Sequence, residues 1–131
     1  MEQEVYSGCL KLLGEGHDNT LLAANNYASS LNGLRRFEEA KTLLRRTLPV
    51  ARRVLGECDD LTLRMRFNYA TALCQDTGAT LDDLREAVTT FEDAGRIARR
   101  VLGGAHPVTE SIEGNLQDAR ASLRAREATS K

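Results

Sequence analysis

A Leu-Gly pair recurs along the sequence at an interval of a little over forty residues. The pairs are Leu13-Gly14, Leu55-Gly56 and Leu102-Gly103, and 42 residues separate the first two leucines while 47 separate the last two. An asparagine follows each of these leucines after thirteen residues: Asn26, Asn68 and Asn115. Periods of this length are typical of folds that stack one structural unit on the next. The sequence therefore predicts a repeat architecture.

Apolar residues spaced three or four apart predict two helices in each repeating unit. The first, here called the A helix, is predicted to begin at an acidic residue or a proline: Asp18, Asp59-Asp60 and Pro107. The second, the B helix, is predicted over about 36–55 and from about 82 or 84 to 102. The chain has no tryptophan and only 5% aromatic residues, which disfavours a sheet protein. The predicted fold class is all-α with about six helices.

The repeat register divides the 131 residues into a single domain with incomplete units at both ends. The second repeat carries five extra residues between Asn68 and Ala87, which predict a longer loop or an additional helical turn. The predicted segments are a leading B helix at 1–13, a first repeat at 14–56, a second repeat at 57–103, a C-terminal A or capping helix at 104–127, and a disordered tail at 128–131.

Charge and hydropathy exclude several classes of partner. The chain has 18 basic and 19 acidic residues and a net charge of -1, so no overall field favours nucleic acid or an anionic membrane. No apolar run approaches the length of a membrane span, and the first residues do not resemble a signal peptide. Three widely spaced cysteines make a poor disulfide framework. We expect a cytoplasmic protein with reduced thiols.

Several short motifs recur in register with the Leu-Gly pairs. They are His17, Thr20, Asn26-Tyr27-Ala28, Gly33 and Glu39-Ala40 after the first pair; Thr62, Asn68-Tyr69-Ala70, Gly78 and Glu86-Ala87 after the second; and His106-Pro107, Thr109 and Asn115-Leu116 after the third. In combination they resemble the tetratricopeptide repeat family, in the 42-residue variety found in kinesin light chains. The resemblance covers nearly the whole chain. It departs from the pattern at Asp18 and Asp60, which replace a proline, and at Asp59, which replaces a histidine.

The resemblance implies a right-handed α-solenoid whose A helices line a concave surface. Asn26, Asn68 and Asn115 would form a row of amides along that groove, and an amide can both donate to and accept from the main chain of an extended peptide. The same amides could instead hydrogen-bond between adjacent A helices and order the stack, and the sequence leaves both roles open. The neighbouring positions complete the candidate peptide-binding set: Leu22, Arg64, Gln75 and Ser111.

No motif for catalysis, nucleotide binding or metal binding is present in the sequence. His17 and His106 occupy equivalent positions in separate units, where helix capping explains them better than a shared metal. We therefore predict a non-enzymatic module without a cofactor, which binds a peptide or a partner helix in the groove. The alternative is a structural scaffold, or a self-associating segment of a longer array, that forms homo-oligomers through its exposed terminal helices.

Overall fold

The computed structural model describes residues 2–129, and these residues form six helices and no strand. The helices are α1 (Glu2–Leu13), α2 (Asp18–Gly33), α3 (Phe37–Val54), α4 (Asp60–Gln75), α5 (Leu81–Val101) and α6 (Pro107–Thr129). Among the described residues, no helix is both long and apolar enough to cross a membrane. The predicted all-α class and the count of six helices are confirmed.

The Leu-Gly pairs mark helix ends because the glycine adopts a left-handed backbone conformation. Gly14, Gly56 and Gly103 have φ angles of 87°, 92° and 94°. A side chain is costly in this conformation, whereas glycine adopts it freely. The Gly56 amide donates a hydrogen bond to the carbonyl oxygen of Ala51 at 3.3 Å, which closes the end of α3. The Leu-Gly pairs therefore recur in the sequence at the interval at which the B helices end.

The A helices begin at side chains that cap the first turn. The His17 Nδ1 atom accepts a hydrogen bond from the amide of Asn19, and the Asp59 carboxylate accepts one from the amide of Leu61. His106 caps α6 in the same way, through the amide of Val108. His17 and His106 therefore cap α2 and α6, as their positions in the sequence indicate.

Consecutive helices pack as antiparallel neighbours, and the A helices also pack on one another. α2 contacts α4 and α4 contacts α6, whereas the backbones of the B helices α1, α3 and α5 do not approach one another closely among the described residues. The A helices thus form a continuous layer, and the B helices cover its other side. This arrangement is an all-α helical repeat solenoid, in which the A helices lie on the more tightly packed side.

Small residues lie at the centre of each helix hairpin. Ala28, Ala40, Ala70 and Ala87 are all fully buried, as expected where two antiparallel helices approach closely. The buried residues form two clusters, one built on α1 to α4 and the other on α4 to α6. α4 contributes to both, with Met65 and Ala72 in the first cluster and with Leu63, Ala70 and Leu73 in the second.

The five extra residues of the second repeat are shared between a loop and a helix. Three residues connect α2 to α3, whereas five connect α4 to α5, and α5 has 21 residues against the 18 of α3. Thr80 and Asp83 form a reciprocal capping box at the new start of α5. The insertion therefore produces both a longer loop and most of an extra turn.

The end of α6 differs from the predicted boundary. The helix continues to Thr129, two residues into the predicted tail at 128–131, while Ser130 and Lys131 lie outside the described residues. An Nη atom of Arg126 donates to the carbonyl oxygen of Ala79 at 2.9 Å. This bond ties the last turns of α6 to the α4–α5 loop.

Candidate functional site

The A helices enclose an open depression of about 250 Å³ between α2, α4 and α6. We call this depression the A-face groove. Its lining residues come from all three A helices: Asn25, Ser29, Arg64, Phe67, Asn68, Pro107, Val108 and Ser111. The lining combines an apolar floor with hydroxyl and amide groups and one cation, which is the mixture expected of a surface that binds a peptide.

Three of the seven predicted site residues line the A-face groove, namely Arg64, Asn68 and Ser111. The other four lie on the A helices outside the lining. Leu22, Asn26 and Gln75 are exposed, and Asn115 is half-buried. Leu22 and Asn26 precede Ser29 by seven and three residues on α2, so they continue the same helix face beyond the depression.

The three recurring asparagines do not make equivalent contacts. Asn68 is buried, and its amide nitrogen donates to the Oδ1 atom of Asn25 at 2.8 Å. The amide nitrogen of Asn115 donates to the hydroxyl of Thr71 at 3.4 Å. Both bonds join one A helix to the preceding one, so these two side chains order the stack. Asn26 is exposed and takes no part in these interhelical bonds, so the uniform row of groove amides does not form.

Asn25, rather than Asn26, is the interhelical partner that sequence reasoning missed. Asn25 lies four residues after the buried Leu21 and three before the buried Ala28, so it belongs to the buried stripe of α2. A buried amide requires a partner, and this was the available signal. The register argument selected Asn26 because it compares positions along the chain, whereas the contact depends on how α2 and α4 are rotated against each other.

Phe67, Pro107 and Val108 also line the groove without having been predicted there. Phe67 is part of the apolar stripe of α4, and its ring packs against that of Phe91 with the ring centroids 6.0 Å apart. It reaches both the second core cluster and the groove floor. Apolar periodicity predicts that such a residue lies in the core, and no signal in the sequence distinguishes a core residue from one that also lines the groove.

Arg64 supplies the only charge in the groove lining. Its side chain is half exposed, and its Nε atom lies 3.5 Å from a carboxylate oxygen of Asp60, one turn earlier on α4. An exposed pair within one helix is weak, so the guanidinium can exchange this partner for a ligand carboxylate. The groove is thus suited to a ligand with a negative group near α4.

The Cys74 thiol is poorly suited to act as a nucleophile. Burial raises the pKa of the Cys74 thiol to about 11, which keeps it protonated and weakly nucleophilic at neutral pH. Between residues 2 and 129, no three histidine, cysteine, aspartate or glutamate side chains cluster so that they could hold a metal ion.

One protein family model matches the chain. The model, described as a tetratricopeptide repeat, matches residues 20–60, which comprise most of α2, all of α3 and the first residue of α4. This match supports a tetratricopeptide repeat protein, in agreement with the motif residues and the stacked hairpins. No curated protein matches the sequence. Proteins with this repeat are in general non-catalytic and serve in protein–protein interaction or as scaffolds.

Proposed function

We propose that this protein is a non-catalytic interaction module that binds an extended peptide or a partner helix in the A-face groove. The observation that carries the proposal is the depression between three A helices, where Phe67 offers apolar surface and Arg64 an accessible cation. Ser29 of α2 and Ser111 of α6 both line the groove, and their hydroxyls can hydrogen-bond a ligand main chain. We assign the repeats to the 42-residue variety found in kinesin light chains on the strength of the recurring motifs.

The residues predicted to bind the ligand have different proposed roles. Asn68 and Asn115 hold the A helices together, so they shape the groove without being free to bind. Asn26 and Leu22 on α2 and Gln75 at the end of α4 are exposed and extend the ligand surface along their helices. Arg64 is the proposed selectivity residue because it is the one charged group in the lining.

Charge reversal at Arg64 tests the proposal. Arg64→Glu should weaken the binding of acidic peptides on a peptide array by about tenfold or more, since a charge-assisted hydrogen bond contributes roughly 1.5–3 kcal/mol. Arg100→Glu is the matched control, because Arg100 is an exposed arginine on α5 outside the groove. Equal capture of the same acidic peptides by wild type and Arg64→Glu would refute the assignment.

Self-association is a second candidate function, favoured by one observation. α1 exposes three large apolar side chains, with Val5 54%, Leu12 85% and Leu13 44% exposed. None of the large exposed apolar residues lies on α6. Of the two terminal helices, α1 is therefore the one whose surface favours contact with another copy of the chain.

A further inference from the structure

A second depression, of about 200 Å³, lies on the opposite side of the A layer, between α3, α4 and α5. We call it the B-side depression. Its lining carries three guanidinium groups and one carboxylate: Arg45, Arg52, Arg66 and Glu86. The remaining lining residues are Leu44, Leu48, Pro49, Tyr69 and Thr90.

The charges are balanced at one end of the B-side depression only. There the Nε atom of Arg45 donates to the Tyr69 hydroxyl at 3.2 Å, and that hydroxyl donates to Glu86 at 2.8 Å. At the other end lie Arg52 and Arg66. The lining contains no carboxylate there, but the Nε atom of Arg52 lies 2.8 Å from a carboxylate oxygen of Glu57, outside the lining. Both side chains of the Arg52–Glu57 pair are about half exposed, so this pair is weak, and Arg66 is the guanidinium that has no close partner.

Arg66 is buried without adequate compensation. It is 5% exposed, and its Nε atom has no hydrogen-bond partner among the described residues. Its nearest carboxylate, Asp93, lies 3.7 Å away and is held by Arg96 at 2.5 Å. Burial, and after it the charge of Arg52, lowers the pKa of Arg66, while Glu57 and Asp93 oppose this shift without reversing it. Since arginine stays protonated in proteins, the result is a buried cation that faces a second cation.

The next repeat shows how the same positions are normally neutralised. Arg99 and Glu113 occupy the positions equivalent to Arg52 and Arg66, forty-seven residues later. The Arg99 guanidinium donates two hydrogen bonds to the Glu113 carboxylate, at 2.8 and 2.9 Å. In the B-side depression an arginine stands where that carboxylate would be. Arg52 pairs with the exposed Glu57 instead, and the buried Arg66 has no carboxylate within hydrogen-bond distance.

We propose that the B-side depression binds a phosphate group between Arg52 and Arg66. The phosphate oxygens would take the place of the Glu113 carboxylate and would give the guanidinium of Arg66 an acceptor. Planar guanidinium groups bind such oxyanions in bidentate geometry. A phosphate carries close to two negative charges at neutral pH and presents several acceptor oxygens, so it can bind both guanidinium groups at once and compete with the exposed Glu57 for Arg52.

The test follows the Nε–Hε resonances of the arginines by NMR, at an ionic strength held constant with sodium chloride. Inorganic phosphate should shift the Arg66 resonance saturably, and acetate should act at least tenfold more weakly. An acetylated and amidated phosphoserine distinguishes the source of the group. Binding of inorganic phosphate alone indicates a free anion, whereas binding of phosphoserine indicates a phosphorylated partner. Equal binding of acetate, or no saturable shift with either phosphate compound, would overturn the proposal.

Two variants and a control locate the site. Arg52→Gln should weaken phosphate binding at least tenfold, while Arg53→Gln, at an exposed neighbour outside the depression, should leave it unchanged. Arg66→Glu should remain folded, because a glutamate there can pair with Arg52 as Glu113 pairs with Arg99, and it should abolish binding. If Arg66→Glu fails to fold, the Arg52→Gln result decides. Unchanged affinity in Arg52→Gln would refute the site.

Discussion

Asn68 joins two A helices through both its side chain and its main chain. Its amide nitrogen donates to Asn25, and its carbonyl oxygen accepts a hydrogen bond from the side chain of Asn32 at 3.0 Å. The bond to Asn25 is buried and the bond from Asn32 is partly buried. Where a bond is shielded from water, the loss of one partner leaves the other without compensation. A residue that the repeat pattern marks as a ligand contact thus stabilises the groove wall itself.

Replacing Asn68 and Asn26 separately distinguishes the two roles of the recurring amide. Asn68→Ala should lower the free energy of unfolding by about 1–3 kcal/mol, because the buried Oδ1 atom of Asn25 loses its donor. Asn26→Ala should change it by less than about 0.5 kcal/mol, since the side chain is exposed. Urea denaturation followed by circular dichroism measures both. Equal effects of the two substitutions would contradict the interhelical role of Asn68.

Helix ends are the elements that local chemistry determines most directly. Gly56 ends α3 because its backbone has a φ angle of 92°. Glycine adopts this conformation at little cost, whereas a residue with a side chain does not. His17 and Asp59 begin two A helices by accepting backbone hydrogen bonds. Each of these effects acts within a few residues of sequence, so it leaves a mark that recurs with every repeat.

Substitution at a helix stop should therefore cost more than substitution within a helix. Gly56→Ala should destabilise the protein by about 1–2 kcal/mol, the penalty for a left-handed conformation with a side chain. Gly114→Ala is the control, because Gly114 lies within α6 and a Cβ atom there would meet open space. It should stabilise the protein by about 0.5–1 kcal/mol. Thermal unfolding of both variants measures the difference, and a neutral Gly56→Ala would contradict the capping role.

The sequence predicted these elements well and the site only in part, for a physical reason. The starts of α2 and α6 fall at Asp18 and Pro107 as predicted, because capping is local. The pairing of Asn68 with Asn25 depends on the rotation of α4 against α2, which side-chain packing across the interface sets. Phe67 reaches the groove for the same reason. Position along one chain does not encode how two helices are turned toward each other.

At the scale of the whole molecule, the two faces of the A layer carry different chemistry. The A-face groove contains one cation, Arg64, beside an apolar floor, whereas the B-side depression contains the pair of Arg52 and the buried Arg66. α4 separates the two, with Arg64 on one side and Arg66 on the other. We therefore expect ligands of the two sites to bind without competing for the same residues.

The scaffold alternative is also tested at this scale. If α1 mediates self-association, the molar mass from light scattering should rise with protein concentration, and the double variant Val5→Asp, Leu12→Asp should abolish the rise. Leu34→Asp is the control, because Leu34 is 67% exposed but lies in the α2–α3 connection. If the wild-type protein stays monomeric across the concentration range, this alternative is excluded, and the proposed binding of a ligand in the A-face groove is unaffected.

α4 lends its buried side chains to both hydrophobic clusters, with Met65 in one and Leu63 in the other. Thermal separation of the two halves of the protein would expose buried side chains on opposite faces of α4 at the same time. We therefore expect the two halves to unfold together rather than one after the other. The amide hydrogens of α4, which lines both depressions, should be among the last in the chain to exchange with solvent.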